Sequence, residues 1–310
     1  MATHRKTDFE RAIERIRART WSALIREWIA HIPDIDPCGS PPSERLDALY
    51  TFQIAAKQAT DDSPYTQDVP GVRELLLGEG VYLLHKAAHV IGAAELHARR
   101  GMQTWSLSGA YHAALFAAKA TMRFLGIGLP EYASKGVLVD ICPELPTLSS
   151  KQRRAGLPRS PTIEFNRLGV RPENKHIWRI LQRVINVSRI DPWPMECIAA
   201  IRRLDPGDFA WQRNSIHYNN CVWIHNDLHE FLVDESFGVP PTDLRKALEG
   251  SRDESDFSLI LGLTLFKLGL ILFDDIAANT NKLRAERELL HRTVTDTERH
   301  PIYTQAYGWS

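Results

Sequence analysis

Ser106-Leu-Ser-Gly-Ala-Tyr-His-Ala-Ala-Leu-Phe-Ala-Ala-Lys-Ala-Thr-Met-Arg-Phe-Leu-Gly126 is the stretch from which the rest of the chain is read. Trp105, Leu107, Tyr111, Leu115, Ala118, Met122 and Leu125 recur at helical spacing, which predicts a helix over about 104–126 with these residues as its buried stripe. Between them lie Gly109, Ala110, Ala113, Ala114, Ala117 and Ala120. Side chains this small let a second helix approach closely, so the segment is expected at the centre of a bundle. Gly126 and Gly128 end it.

Upstream, residues 72–100 carry a helical pattern closed by Arg99, Arg100 and Gly101, a basic last turn with a glycine stop. Residues 7–32 read as one long amphipathic helix through Phe9, Ile13, Ile16, Trp21, Leu24, Ile25 and Ile29. Prolines 33, 37, 41 and 42 break it, and Ser43 opens a helix running to about Thr60. Downstream the composition changes between about 128 and 172. There Gly136–Cys142 and Thr162–Phe165 read as short strands, an insertion carrying a small hairpin.

Helices resume at 173–188, 195–204, 222–233 and 242–248. Ser251 and Glu254 form a capping-box signal for the apolar helix that contains Phe257–Phe273, and a charged helix covers about 281–299. The fold class expected is mainly α, a helical bundle with a small β-hairpin insertion. The expected organisation is a helical extension over 1–70, the bundle over 71–250 and an apolar helix with a charged tail over 251–310.

The 310 residues, 44% hydrophobic and 25% charged, suit a globular protein with a sizeable core. Lys and Arg number 38, as do Asp and Glu, so the formal net charge is zero. Attraction to nucleic acid must then come from a local patch. Cys38, Cys142, Cys197 and Cys221 form no CxxC pair, which argues against a zinc ribbon or disulfide scaffold and fits a reducing cytoplasm. Met1–Lys6 leads straight into a charged helical pattern without an apolar signal core, so export is not expected. Phe257–Phe273 is interrupted by Lys267 and falls short of the roughly 20 clean residues a span needs, so it is read as a core or oligomer helix rather than a membrane one.

Several motifs are missing: GxxxxGK[ST], GxGxxG and GxSxG do not occur. His85 and His89 sit one helical turn apart, as do His225 and His229, but neither pair has a third ligand at metal-site spacing, so no metal and no cofactor are expected. Lys151, Arg153, Arg154 and Arg159, with Arg167 and Arg171 behind them, form the densest cationic loop. It is the expected RNA contact, with Phe165 or Tyr132 available to stack on bases, although a charge cluster more often simply faces solvent.

The sharpest candidate chemistry lies in Phe209-Ala-Trp-Gln-Arg213-Asn214-Ser-Ile-His217-Tyr218-Asn-Asn220. On a helix Arg213 and His217 share one face. Histidine moves protons near neutral pH, and a guanidinium holds phosphate oxygens with a fixed fork of donors. Metal-independent RNA cleavage needs that pair of functions, with Asn214 and Tyr218 orienting them. The competing reading is a buried Arg–Asn–Tyr network that fixes helix packing.

Ser106–Gly126 and Arg213-Asn-Ser-Ile-His217-Tyr218 together resemble the HEPN superfamily of helical domains. The first is similar to its Ala-rich, aromatic-dotted bundle helix and the second to its later Arg-polar-x-x-x-His helix, in the same chain order. The likeness covers about 72–126 and 173–235. It implies a homodimer cutting RNA in a shared cleft, within a toxin–antitoxin or phage-defence system that supplies a protein partner. It also implies that Arg213 holds the scissile phosphate, with Asn214 as the polar residue after it, and that His217 transfers the proton. Neutral net charge, the apolar helix and the three-residue gap between Arg213 and His217 support a second class, a non-catalytic helical scaffold or sensor subunit. A small-molecule or nucleotide-binding helical module is a third.

Overall fold

Thr7 starts the first helix with a reciprocal cap, its hydroxyl accepting from the Glu10 amide while the Glu10 carboxylate accepts from the Thr7 amide. The computed structural model describes residues 6–32, 45, 49–60, 64–100, 102–132, 134–142, 162–193, 195–203, 205, 207 and 257–295. In chain order the elements are α1 (Asp8–Glu14), β1 (Arg19–Thr20), α2 (Trp21–Ala30), α3 (Tyr50–Gln58), β2 (Tyr65–Thr66), α4 (Val72–Arg99) and α5 (Gln103–Phe124). Then come β3 (Ile127–Gly128), β4 (Glu131–Tyr132), β5 (Lys135–Cys142), β6 (Thr162–Arg167), α6 (Asn174–Val187), β7 (Ser188–Arg189), α7 (Met195–Arg203), α8 (Phe257–Ala278) and α9 (Arg284–Thr295). The described chain is therefore mainly helical with a small sheet. The helices expected at 222–233 and 242–248, the Ser251/Glu254 cap, and Gly101 lie outside the described residues.

Two compact units divide the chain. One comprises Met1–Gly80, Met122–Glu173 and Arg183–Asp191; the other comprises Val81–Thr121, Asn174–Gln182 and Pro192–Ser310.

The first unit holds the sheet. β5 and β6 form the expected antiparallel pair, with Val139 opposite Phe165 and Ile141 opposite Ile163. The sheet is larger than a hairpin, because β2 adds to the free edge of β6, and β3 and β4 pair along β5. Side chains alternate across a strand. Val137, Val139, Ile141, Ile163 and Phe165 therefore share one buried face, while Asp140, Glu164 and Asn166 share the other. Gly126, at φ +80°, makes the turn from α5 into β3, a backbone region where glycine meets no Cβ penalty.

The long helix expected over 7–32 is two helices. α1 ends at Glu14, residues 16–18 have no regular structure, and the strand Arg19–Thr20 leads into α2. Tertiary contacts override the helical spacing here. The backbone of Arg19 pairs in parallel with Ser188 on β7. The Arg17 amide donates to Asp140 Oδ2 at 3.3 Å, and the Arg19 side chain is drawn into the interior beside the same carboxylate.

The second unit is a set of closely packed helices. A Cβ built on Gly109 would lie 3.0 Å from Ala94 Cβ, and one on Gly262 would lie 3.0 Å from the Ala110 carbonyl oxygen. The small residues of α5 thus admit both α4 and α8, as their spacing predicts. Tyr111, Leu115 and Ala118 of the expected stripe are buried, but Trp105 is 53% exposed, which corrects its place in the core. It lies in the first turn of α5, beyond the Gly109–Ala94 contact. α8 buries Leu263, Leu265, Phe266, Leu272 and Phe273. Among the described residues no helix is long and apolar enough to cross a membrane.

Candidate functional site

Arg213, Asn214, His217 and Tyr218, and likewise Lys151, Arg153, Arg154 and Arg159, lie outside the described residues, as do His225 and His229. Of the residues read with the cationic loop, Arg171 pairs with Glu131 at 2.9 Å on the surface. Phe165 is fully buried with its ring 5.8 Å from that of Phe52, so it cannot stack on a base. The inward side of β6 claims it. The His85/His89 pair also separates in role, since His85 faces Glu286 while His89 is exposed. No group of three or more His, Cys, Asp or Glu side chains suited to a metal occurs among the described residues.

The structure instead assembles two polar clusters, one in each unit. In the first, Asp140 and Glu164 stand directly opposite each other on β5 and β6. Like charges so placed repel unless something neutralises them. Arg19 and Asp140 form a buried ion pair at 2.9 Å, their side chains 1% and 0% exposed. Arg19 also donates to the Leu125 carbonyl at 2.7 Å and to the Arg17 carbonyl through Nε and Nη2. Arg17 pairs with Glu164 Oε2 at 2.7 Å, and Asn166 Nδ2 donates to the other oxygen of Glu164 at 2.9 Å. Arg15 reaches Asn166 Oδ1 at 3.4 Å, and Arg183 donates to the Glu14 carbonyl at 3.2 Å.

This cluster has a signal in the sequence. Arg15, Arg17 and Arg19 recur with the period of two that belongs to an extended chain, not to a helix. The apolar spacing of Phe9 to Ile29 masks it. The same unit carries a second ion pair, buried Arg123 with partly exposed Glu79 at 2.6 Å, and Arg73 is held between Glu27 and Asp68.

The second cluster gathers on α9. Asp274 Oδ1 accepts from Arg287 Nε at 2.7 Å and lies 3.0 Å from His291 Nε2. Arg287 and His291 are one helical turn apart, so one carboxylate fixes both. His85 Nε2 lies 2.9 Å from Glu286 Oε2, within ion-pair distance yet without hydrogen-bond geometry. Burial holds the His85 imidazole below its ordinary value of 6.5, while the charge and contact of Glu286 pull it back up. The His291–Asp274 pair has the form of an oriented acid–base group, and its partial exposure leaves it in reach of solvent.

Comparison of the chain with protein-family models, curated proteins and solved structures finds no match.

Proposed function

We propose that the chain is a HEPN-like helical protein that acts on RNA, cleaving it without a metal in a toxin–antitoxin or phage-defence setting. Arg213 holds the phosphate and His217 transfers the proton, with Asn214 and Tyr218 orienting them; Lys151, Arg153, Arg154 and Arg159 bind the RNA strand. The reading is carried by α5. Its small residues meet α4 and α8 at Gly109 and Gly262, the role the Ala-rich helix has in the family resemblance. The Arg213–His217 segment follows it in the family's order. In this reading the active form is a homodimer with the two Arg–His motifs in a shared cleft, and a protein partner from the same system controls it.

Labelled RNA incubated with the purified protein in EDTA tests the reading. Wild type should cut, and both Arg213→Ala and His217→Ala should lose at least about a hundredfold of the rate, the usual size of an electrostatic phosphate contact for the first and of a general acid–base contribution for the second. An uncut substrate with folded wild type would sink it. Light scattering that shows a monomer at micromolar concentration would remove the shared cleft.

One observation favours the scaffold reading. Leu96, Met102 and Trp105, all near the junction of α4 and α5, are exposed. A protein partner would cover apolar surface of this kind.

A further inference from the structure

We propose that the outer seam between α4 and α5, in the second unit, is a binding surface for single-stranded nucleic acid. It uses neither Arg213 nor His217, and it rests on the RNA reading above only for the choice of strand.

Three observations carry it. The first is convergence. Apart from Leu107, the described residues of α5 outside the core are Trp105, Gly109, His112, Phe116 and Lys119, whose steps of three and four keep them on one face. Lys86, His89, Ala93 and Leu96, none of them buried, form a matching stripe on α4. Two contacts set the stripes side by side and antiparallel. Lys86 Nζ lies 4.4 Å from the centre of the Phe116 ring, and a Cβ on Gly109 would lie 3.0 Å from Ala94 Cβ. That register brings His89 level with His112 and Leu96 level with Trp105. The His112 ring is itself 6.5 Å from that of Phe116.

The second is charge. α5 contains no Asp or Glu, and α4 has none between Gly80 and Ala94. Lys86 is exposed and forms no ion pair among the described residues; the Phe116 ring is its partner. His89 beside it is exposed as well. Glu286, the carboxylate that α9 brings to α4, is taken by His85 at 2.9 Å.

The third is the spacing of the rings. Trp105 is exposed and Phe116 half-buried, with Gly109 between them and Ala93 beside it, so no large side chain fills the middle. At a rise of about 1.5 Å per residue the two rings stand about 16 Å apart along α5, room for about five stacked nucleotides. The occupant must alternate flat faces with negative charge. A single strand does so, its bases stacking on aromatic side chains while cations follow its phosphates. An acidic protein face fits less well, because the core of a protein interface is depleted of lysine, and here Lys86 lies over the ring itself. A cation over an exposed ring is weakly held, so a base can take the face of Phe116 and pass the ammonium to its own phosphate.

The test measures anisotropy of a labelled 2′-O-methyl oligouridine, which lacks the hydroxyl that metal-free cleavage uses, with the full chain over a range of salt. Phe116→Leu and Trp105→Leu should each weaken binding about fivefold or more, the loss of one stacked base, and leave the salt slope unchanged. Lys86→Gln should flatten the slope of log affinity against log salt by about 0.7, one phosphate contact of a single strand. A merely loosened fold would not divide affinity from slope in this way, and circular dichroism confirms that the variants fold. Binding equal to wild type in all three variants would overturn the proposal. So would a polyglutamate peptide that displaces the strand while both ring variants bind it normally, since the surface would then serve an acidic protein.

Cleavage of ordinary RNA by the same variants separates this surface from the Arg213 site. If Arg213→Ala loses cutting while the three surface variants bind as wild type does, the surface fails and the cleavage reading stands. If the surface variants lose the strand as expected but wild type does not cut, the surface stands and the cleavage reading alone is defeated.

Discussion

In the first unit, the polar face of β5 and β6 sets Asp140, Glu164 and Asn166 under Arg15, Arg17 and Arg19. In the second, α4, α5 and α8 meet at Gly109, Ala94, Ala110 and Gly262, where a Cβ added to either glycine would be crowded at 3.0 Å. One interior is fixed by charge and direction, the other by shape. A buried ion pair costs desolvation that only good geometry offsets, so its value lies more in specifying an arrangement than in net stability. Close helix contact gains dispersion from many atoms at once and tolerates neither added nor missing volume well. The two interiors should therefore fail differently.

The largest failure is expected in the first unit. Asp140→Ala leaves the Arg19 guanidinium buried without its counter-charge and removes the acceptor of the Arg17 amide. Breaking one side of such a pair typically costs about 3–5 kcal/mol. The double replacement Arg19→Met with Asp140→Leu should recover most of that loss, because no isolated charge remains. Urea denaturation of the single and double variants measures both. A single variant as stable as wild type would show that the pair is solvated and that charge does not fix this interior.

A smaller effect, set by shape, belongs to the second unit. Gly262→Leu forces a side chain against the Ala110 carbonyl and Ala114, and overpacking of this kind costs about 1–3 kcal/mol. Gly92 lies on α4, where an added Cβ meets nothing within 4 Å. Gly92→Ala should stabilise by about 0.5–1 kcal/mol, the helix-interior difference between the two residues. Opposite signs from two glycines in one unit would confirm that proximity, not glycine content, decides. If Gly262→Leu were neutral, α8 would not pack as closely on α5 as Gly262 indicates.

The same contrast explains what could be read from the sequence. Helix spacing and a run of alanines are local patterns, so α4, α5, α6 and α8 and the close approach at Gly109 were legible. So was the β5–β6 pair, from two short runs of β-branched residues. The break between α1 and α2 was not, because its cause is distant: Arg17 and Arg19 answer to Asp140 more than a hundred residues away. Trp105 fits the helical stripe by spacing, yet it stands in the first turn and meets solvent. Phe165 reads as a possible base platform because nothing local says which face of β6 is covered. Of the candidate site, the Arg213 and Lys151 groups rest on sequence and resemblance. The arginine cluster at residues 15–19 was hidden under an apolar period.

The smallest effect concerns pH and isolates one titratable group of the second unit. His85 on α4 meets Glu286 on α9, and burial holds its imidazole below the ordinary 6.5 despite that carboxylate. The unfolded chain then binds a proton more readily than the folded one. The stability His85 contributes is complete above the unfolded value of 6.5 and is lost as pH falls through the lower folded value. The thermal midpoint of wild type should therefore drop between about pH 7 and 5, the range in which histidine titrates. His85→Gln removes the titrating group while keeping a polar side chain, so its midpoint should fall less over the same range. Carboxylate pairs such as Arg19–Asp140 are common to both proteins, so the difference between the two curves belongs to His85. A His85→Gln curve parallel to wild type would show that the imidazole is not desolvated and that the Glu286 contact adds no pH dependence to the hold on α9.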